Sequence, residues 1–199
     1  MMNKILLVAI ALLVVTACDN EKAPKSSVAN QVVIDATDHA HFIYFSFKNG
    51  KTMKLTDEEA SKSMDWDIAF RANYPRTNGG TSGKGQGAVI KTEMFDFDNI
   101  VSVPQEGHWT EDSMIKIPMV DENGHFIMPP KYEDVSGNKV LKTWLASGGR
   151  PPHKYDNSIF LVKTAAGELA KVQLLSYEKD GKSGYITMRY EYPFHPKKK

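Results

Sequence analysis

The chain has 199 residues, 25 Lys and Arg against 24 Asp and Glu, six histidines and one cysteine. That length suits a single domain, and a net charge of +1 argues against a nucleic-acid binder held by phosphate neutralisation. A lone cysteine excludes a disulfide, a thiolate metal cluster and a covalently attached c-type haem.

Residues 1–17 read as a lipoprotein signal peptide. Lys4 gives a positive start, residues 5–15 are uninterruptedly apolar, and small residues precede Cys18. The apolar run is short for a spanning helix. Acylation of Cys18 would anchor the chain instead, each buried CH₂ contributing about 0.8 kcal/mol. Residues 18–30 are polar without apolar period and read as a flexible, lipidated tether.

From residue 31 to 199 strand signals recur. Residues 31–35 and 41–47 are apolar or alternating, and Asn49-Gly50 marks a hairpin turn because both tolerate positive φ. Thr56-Asp57-Glu58-Glu59 is a capping box that supports about two helical turns. In residues 66–70 alternation places Trp66, Ile68 and Phe70 on one face, leading into a loop rich in glycine that reads as exposed and in need of positive φ at several positions. Residues 88–97 are β-like. Asn123-Gly124 separates runs 114–120 and 125–128. Ala166-Gly167 and Asp180-Gly181 punctuate the last three strands. In the final one Ile186, Met188, Tyr190 and Tyr192 alternate with Tyr185, Thr187, Arg189 and Glu191, a half-buried antiparallel pattern. The expected fold is all-β: a single antiparallel, sandwich-like domain with long loops and little helix.

Motifs of catalysis are missing. The glycine loop lacks the spacing of a Walker A motif, with Asn78 and Gly85 at the positions that matter. Gly83-x-Gly85-x-x-Ala88 fits a loose dinucleotide pattern, but a β-like segment follows where a helix is required. No Gly-x-Ser-x-Gly elbow or His-Glu-x-x-His motif occurs, and no carboxylate spacing selects an acid–base pair. No enzyme is expected. His39-Ala40-His41 would project two imidazoles to one side of a strand, a metal-binding arrangement, though a polar strand edge explains it more simply.

The strings at 66–70 and 76–88, the run 159–177 and the ending 184–192 together resemble the HmuY-like family of bacterial lipoproteins, whose founding members bind haem at the cell surface. The resemblance makes residues 31–199 an HmuY-like β domain. It also implies outer-membrane, surface-exposed localisation, which acidic Asp19 and Glu21 after the anchor fit. The implied function is haemophore-like: haem is bound for iron acquisition and delivered to a TonB-dependent outer-membrane receptor, without turnover. A surface module of the same fold that binds a protein, glycan or other ligand is the alternative.

In the family's haem binders the two axial ligands come from a region near an Asn-Gly-type turn and from the loop after the Trp-Leu strand. Here the first region offers His125 and Met128, the second only His153. His125 is placed ahead of Met128 because a tight turn preorganises it better. Exposed loop histidines, and a gap-filling methionine, explain these residues equally well. Arg150 stands where the second ligand is expected. It cannot ligate iron but its planar fork suits a haem propionate. Tyr132, Trp144 and Tyr155 are candidate pocket walls, with core packing an equal account of Trp144. Iron is expected only through haem.

Overall fold

The computed structural model describes residues 29–99, 102–104 and 107–196. The signal peptide, Cys18 and residues 18–28 of the tether lie outside the described residues, as does the basic tail 197–199.

Two antiparallel sheets face each other. The first runs β1 (Asn30–Asp35), β11 (Lys182–Glu191), β10 (Leu169–Lys179), β9 (Ile159–Lys163), β6 (Ala88–Lys91). The second runs β3 (Lys51–Lys54), β2 (Ile43–Ser46), β4 (Ile68–Arg71), β5 (Tyr74–Thr77). A separate two-stranded arm pairs β7 (Ser113–Pro118) with β8 (Tyr132–Gly137). The fold is all-β and antiparallel, as the alternation predicts.

Between the sheets Ile34, Val172, Leu174, Ile186 and Met188 pack with Phe45, Ile68 and Phe70, each large apolar side chain contributing roughly 1.5–3 kcal/mol by burial. Along β11, buried Gly184, Ile186, Met188 and Tyr190 alternate with half-exposed Tyr185, Thr187, Arg189 and Glu191; Tyr192, expected to continue the series, lies past the strand end. Both sheets are also covered outside. Phe97 and Phe194 close over Ile159 and Leu161, while Trp66 and Ala60 close over Tyr44 and Ala69. This second cover explains why all four residues of β4 are buried.

Trp66 therefore departs from the expected face. It precedes β4 and turns to the outer cluster, meeting Tyr44 edge-on at 4.9 Å and donating its indole N–H to the Ala60 carbonyl at 2.9 Å. Ala60 lies on α1 (Asp57–Lys62), which carries the predicted capping box: Thr56 Oγ1 accepts from Glu59 N, and Glu59 reaches back to Thr56 N.

The glycine loop is not the exposed connection expected. Thr77, Asn78 and Ser82 within it are buried, and its glycines serve close approach more than unusual φ: only Gly80 of the five has positive φ. A Cβ on Gly79 would lie 2.1 Å from the Gly87 carbonyl oxygen. Asn78 donates to the carbonyls of Ser63 and Trp66, each at 2.9 Å, and accepts from Gly85 N. Buried Asp112 holds the loop from the other side, accepting from Thr77 N and Oγ1, Ser82 Oγ and Asn138 Nδ2.

Two expected strands are absent. Residues 125–128 make one bridge, Phe126 to Val120, and β7 pairs with β8 instead, because Pro129 and Pro130 interrupt any ladder there. Trp144 ends a 3₁₀ turn, Leu141–Trp144, and only Leu145 bridges to Tyr155.

Candidate functional site

A cleft of about 330 Å³ opens between the arm and the end of the sandwich. The β4–β5 turn supplies Asn73 and Tyr74, and the hairpin connection supplies Phe126, Ile127 and Met128. Tyr132 enters from β8, Gly148 to Arg150 from the loop after Trp144, and Tyr177 and Ser183 from the β10–β11 end. His39, Pro118 and Pro130 complete the lining.

The walls are apolar with a few polar groups, the usual composition of a small-ligand site. Met128 and Tyr132 are strongly exposed, at 78% and 57%. Burial pushes the Tyr177 hydroxyl up to about 12, so it is a protonated donor at neutral pH. Tyr74 is also raised, chiefly by burial and then by Tyr132, with Arg150 and Arg71 opposing. Arg150 is thus a cation set among phenols. Asn73 is buried, and among the described residues its Nδ2 has no hydrogen-bond partner.

Of the residues proposed from sequence, the cleft brings together Met128, Tyr132 and Arg150. Trp144 and Tyr155 stand behind it. Trp144 is buried, donates Nε1–H to the Asn73 carbonyl at 3.1 Å and stacks on Tyr155 at 6.1 Å. The Tyr155 hydroxyl accepts from Tyr177 N. Both support lining residues without being among them.

His125 and His153 are outside the lining too. Asp121 Oδ1 accepts from Asn123 N and His125 N, both at 2.9 Å, which pins the turn as expected. The pinned backbone leaves the His125 ring 79% exposed, with Nδ1 3.8 Å from the Asp121 carboxylate. The His153 ring has the opposite fate: 1% exposed, it meets Ser183 Oγ at 3.0 Å and packs edge-on against Tyr177 at 5.3 Å. It sits one layer behind the cleft wall.

His39 was read from sequence only as part of a strand-edge pair with His41. The structure shows neither residue in a strand. Asp38 holds His41 at 3.0 Å on an exposed surface, whereas His39 stacks on Phe126 in the cleft. No local signal marks this: the two imidazoles diverge because residues 38–41 bend around the Asp38 carboxylate, which accepts from Ala40 N and His41 N.

The family model for HmuY protein matches residues 38–190. The chain belongs to the HmuY family. Solved structures agree with the assignment. An HmuY-like haem-binding protein of Bacteroides vulgatus shares 28% identity, with 84% of this chain and 93% of that chain covered at a TM-score of 0.64. A Bacteroides fragilis lipoprotein shares 28% identity over 84% and 92%, at a TM-score of 0.65. The apo HmuY analogue of Tannerella forsythia, at 23% identity over 87% and 98%, has the same fold with a TM-score of 0.65. No curated protein matches the sequence. HmuY proteins are a binding and carrier family.

The lining of this HmuY domain suits a haem-like ligand by its donor set: a thioether, an imidazole, a guanidinium and aromatic walls. Among the described residues no three or more His, Cys, Asp or Glu side chains group so as to hold a metal ion.

Proposed function

We propose that the chain is a surface lipoprotein of the outer membrane that captures haem in this cleft and hands it to a TonB-dependent receptor. Residues 1–17 would direct export, Cys18 would carry the lipid, and residues 18–30 would tether the domain 31–199. Asn30, the last residue of that tether, already enters β1, and Ala29 packs against the cluster of Phe97 and Phe194. Haem is the cargo, and no turnover is involved.

The observation that carries the reading is the position of Met128 and Arg150 in one apolar cleft of an HmuY fold. Met128 offers iron a soft sulfur donor. Arg150 would pair with a propionate through parallel N–H bonds, while Phe126, Tyr132 and Tyr177 would cover the macrocycle. His125 and His153 reach the same cargo only if the turn or the Tyr177–Ser183 wall rearranges, so Met128 takes precedence over both.

Titration of the leaderless chain, with Cys18 removed, against ferric and ferrous haem tests capture. A Soret shift at micromolar protein is expected in at least one state; none in either refutes haem binding. Loss of growth on haem as the sole iron source after gene deletion tests delivery. One observation favours a different ligand in the same cleft: His153 is sequestered and Arg150 is present, as suits an anionic, apolar molecule without iron. A failed haem titration followed by binding of such a molecule would establish that alternative.

A further inference from the structure

We infer that His39 is the imidazole ligand for the iron, acting with Met128. The inference rests on the haem reading. Of the six histidines, all within the described residues, His39 alone lines the cleft.

Its position is built from three directions. Asp38 caps the bend by accepting from Ala40 N at 2.8 Å and His41 N at 3.2 Å. Buried Arg71, at the end of β4, donates Nε–H to the His39 carbonyl at 2.7 Å and Nη2–H to Glu133 Oε1 at 2.5 Å. One guanidinium thus ties the His39 backbone to β8, beside Tyr132. The ring itself stacks on Phe126 with centroids 5.0 Å apart and planes 23° from parallel.

Fixed backbone and stacked ring give the preorganisation that a metal donor needs. What the ring lacks is a polar partner: among the described residues no hydrogen bond engages either nitrogen. A half-buried imidazole in that condition is available to ligate. His153, by contrast, engages Nε2 with Ser183 and Glu178; its Nδ1 has no partner among the described residues but is buried behind the cleft wall rather than in the lining, and the exposed His125 ring lies outside the cleft. Phe126 and Met128 are two residues apart on one segment, so the residue that orients His39 is covalently close to the sulfur donor. Histidine and methionine together raise the potential of haem iron, as they do in electron-transfer cytochromes, and would favour capture of the ferrous state.

The test uses the leaderless chain with His39→Phe, which keeps a ring to stack on Phe126 but removes both nitrogens. His39→Gly leaves room for free imidazole. Wild type should give a low-spin ferric EPR spectrum with a near-infrared sulfur-to-iron charge-transfer band. His39→Phe should lose the low-spin signal and weaken haem binding by at least about 10–100-fold, the loss that removing a group that merely orients a metal ligand already causes. Imidazole added to His39→Gly should restore the signal, whereas a packing role would not be rescued. His153→Ala and His125→Ala should keep the wild-type spectrum. A wild-type protein that binds haem, with His39→Phe spectrally unchanged, overturns this inference and leaves haem capture standing. A wild type that binds no haem overturns both.

Discussion

Asp112→Asn is expected to destabilise the domain by about 2–4 kcal/mol although it changes no volume. The reason is the arrangement of donors. Asp112 Oδ2 accepts from Thr77 N at 2.7 Å and Ser82 Oγ at 2.6 Å, and Oδ1 accepts from Thr77 Oγ1 at 2.7 Å and Asn138 Nδ2 at 3.0 Å. An asparagine must put its NH₂ at one of these positions. At the first it meets a backbone N–H that cannot reverse. At the second it meets the Asn138 amide, which cannot flip because its Oδ1 accepts from Val140 N and Leu141 N and its Nδ2 also donates to the Thr110 carbonyl. Either orientation sets donor against donor and strands a buried group, at about 1–3 kcal/mol for each group left unmade. A protonated carboxyl avoids the conflict, since its O–H can point at Ser82 Oγ or Thr77 Oγ1. That distinction fixes the pH dependence. Burial raises Asp112 above 3.8, against the four hydrogen bonds that oppose it. The stability it contributes is therefore fully present below 3.8 and is lost as pH rises through the raised folded value. The gap between wild type and Asp112→Asn should be widest in acid and narrow towards neutrality. Urea unfolding followed by tryptophan fluorescence and circular dichroism measures it. A difference within about 0.5 kcal/mol, a change expected of surface positions, would refute the reasoning.

Gly79→Ala should cost at least about 3 kcal/mol, because its Cβ would lie 2.1 Å from the Gly87 carbonyl oxygen and neither backbone can yield. Gly148→Ala is the control: with φ +63 and nothing within 4 Å of an added Cβ, it should cost only about 1–2 kcal/mol of left-handed strain. Chemical unfolding of the two variants checks the order. Arg76→Lys should lose about 1–3 kcal/mol, since the guanidinium lies 3.8 Å over Phe42 and 4.9 Å over Tyr44 and bonds Asp57 at 2.6 Å. Burial lowers Arg76 to about 10, so it stays charged at neutral pH and an unchanged unfolding midpoint would count against the cation–π account. Arg150→Ala should weaken haem binding by roughly tenfold through a lost charge-assisted pair. The dimethyl ester of the porphyrin should bind wild type and variant equally, and an equal loss for both ligands would exclude propionate pairing.

Much of the scaffold is legible where one physical constraint acts alone. The β11 alternation is clear because one face meets the core and the other meets solvent, and the Thr56–Glu59 capping box is local by nature. Legibility fails where two constraints overlap. All of β4 is buried because α1 and Trp66 cover its outer face, so alternation there says nothing about which side Trp66 takes. β8, Tyr132–Gly137, escapes notice because its own residues are largely polar and exposed or half-exposed on both faces. The glycine loop looks solvated from composition, yet Asn78 and Asp112 supply the hydrogen bonds that let its backbone be buried.

The cleft is less legible still, for a topological reason. Its lining comes from residues as far apart as His39, Tyr74, Phe126, Arg150 and Ser183, and no spacing rule connects them. The neighbourhood of the Asn123-Gly124 turn points to Met128, and the loop after Trp144 points to Arg150, because loops at the end of a rigid sheet collect binding groups. Which histidine joins them is decided elsewhere. Tight anchoring of the turn by Asp121 fixes the backbone at His125 but leaves its ring outside the cleft, so backbone order near a site does not place a side chain in it. His39 is placed by Arg71, a residue of the second sheet whose guanidinium spans from the His39 carbonyl to Glu133 of the arm. A buried arginine between the sandwich and the arm thus does for the imidazole what the hairpin turn was expected to do.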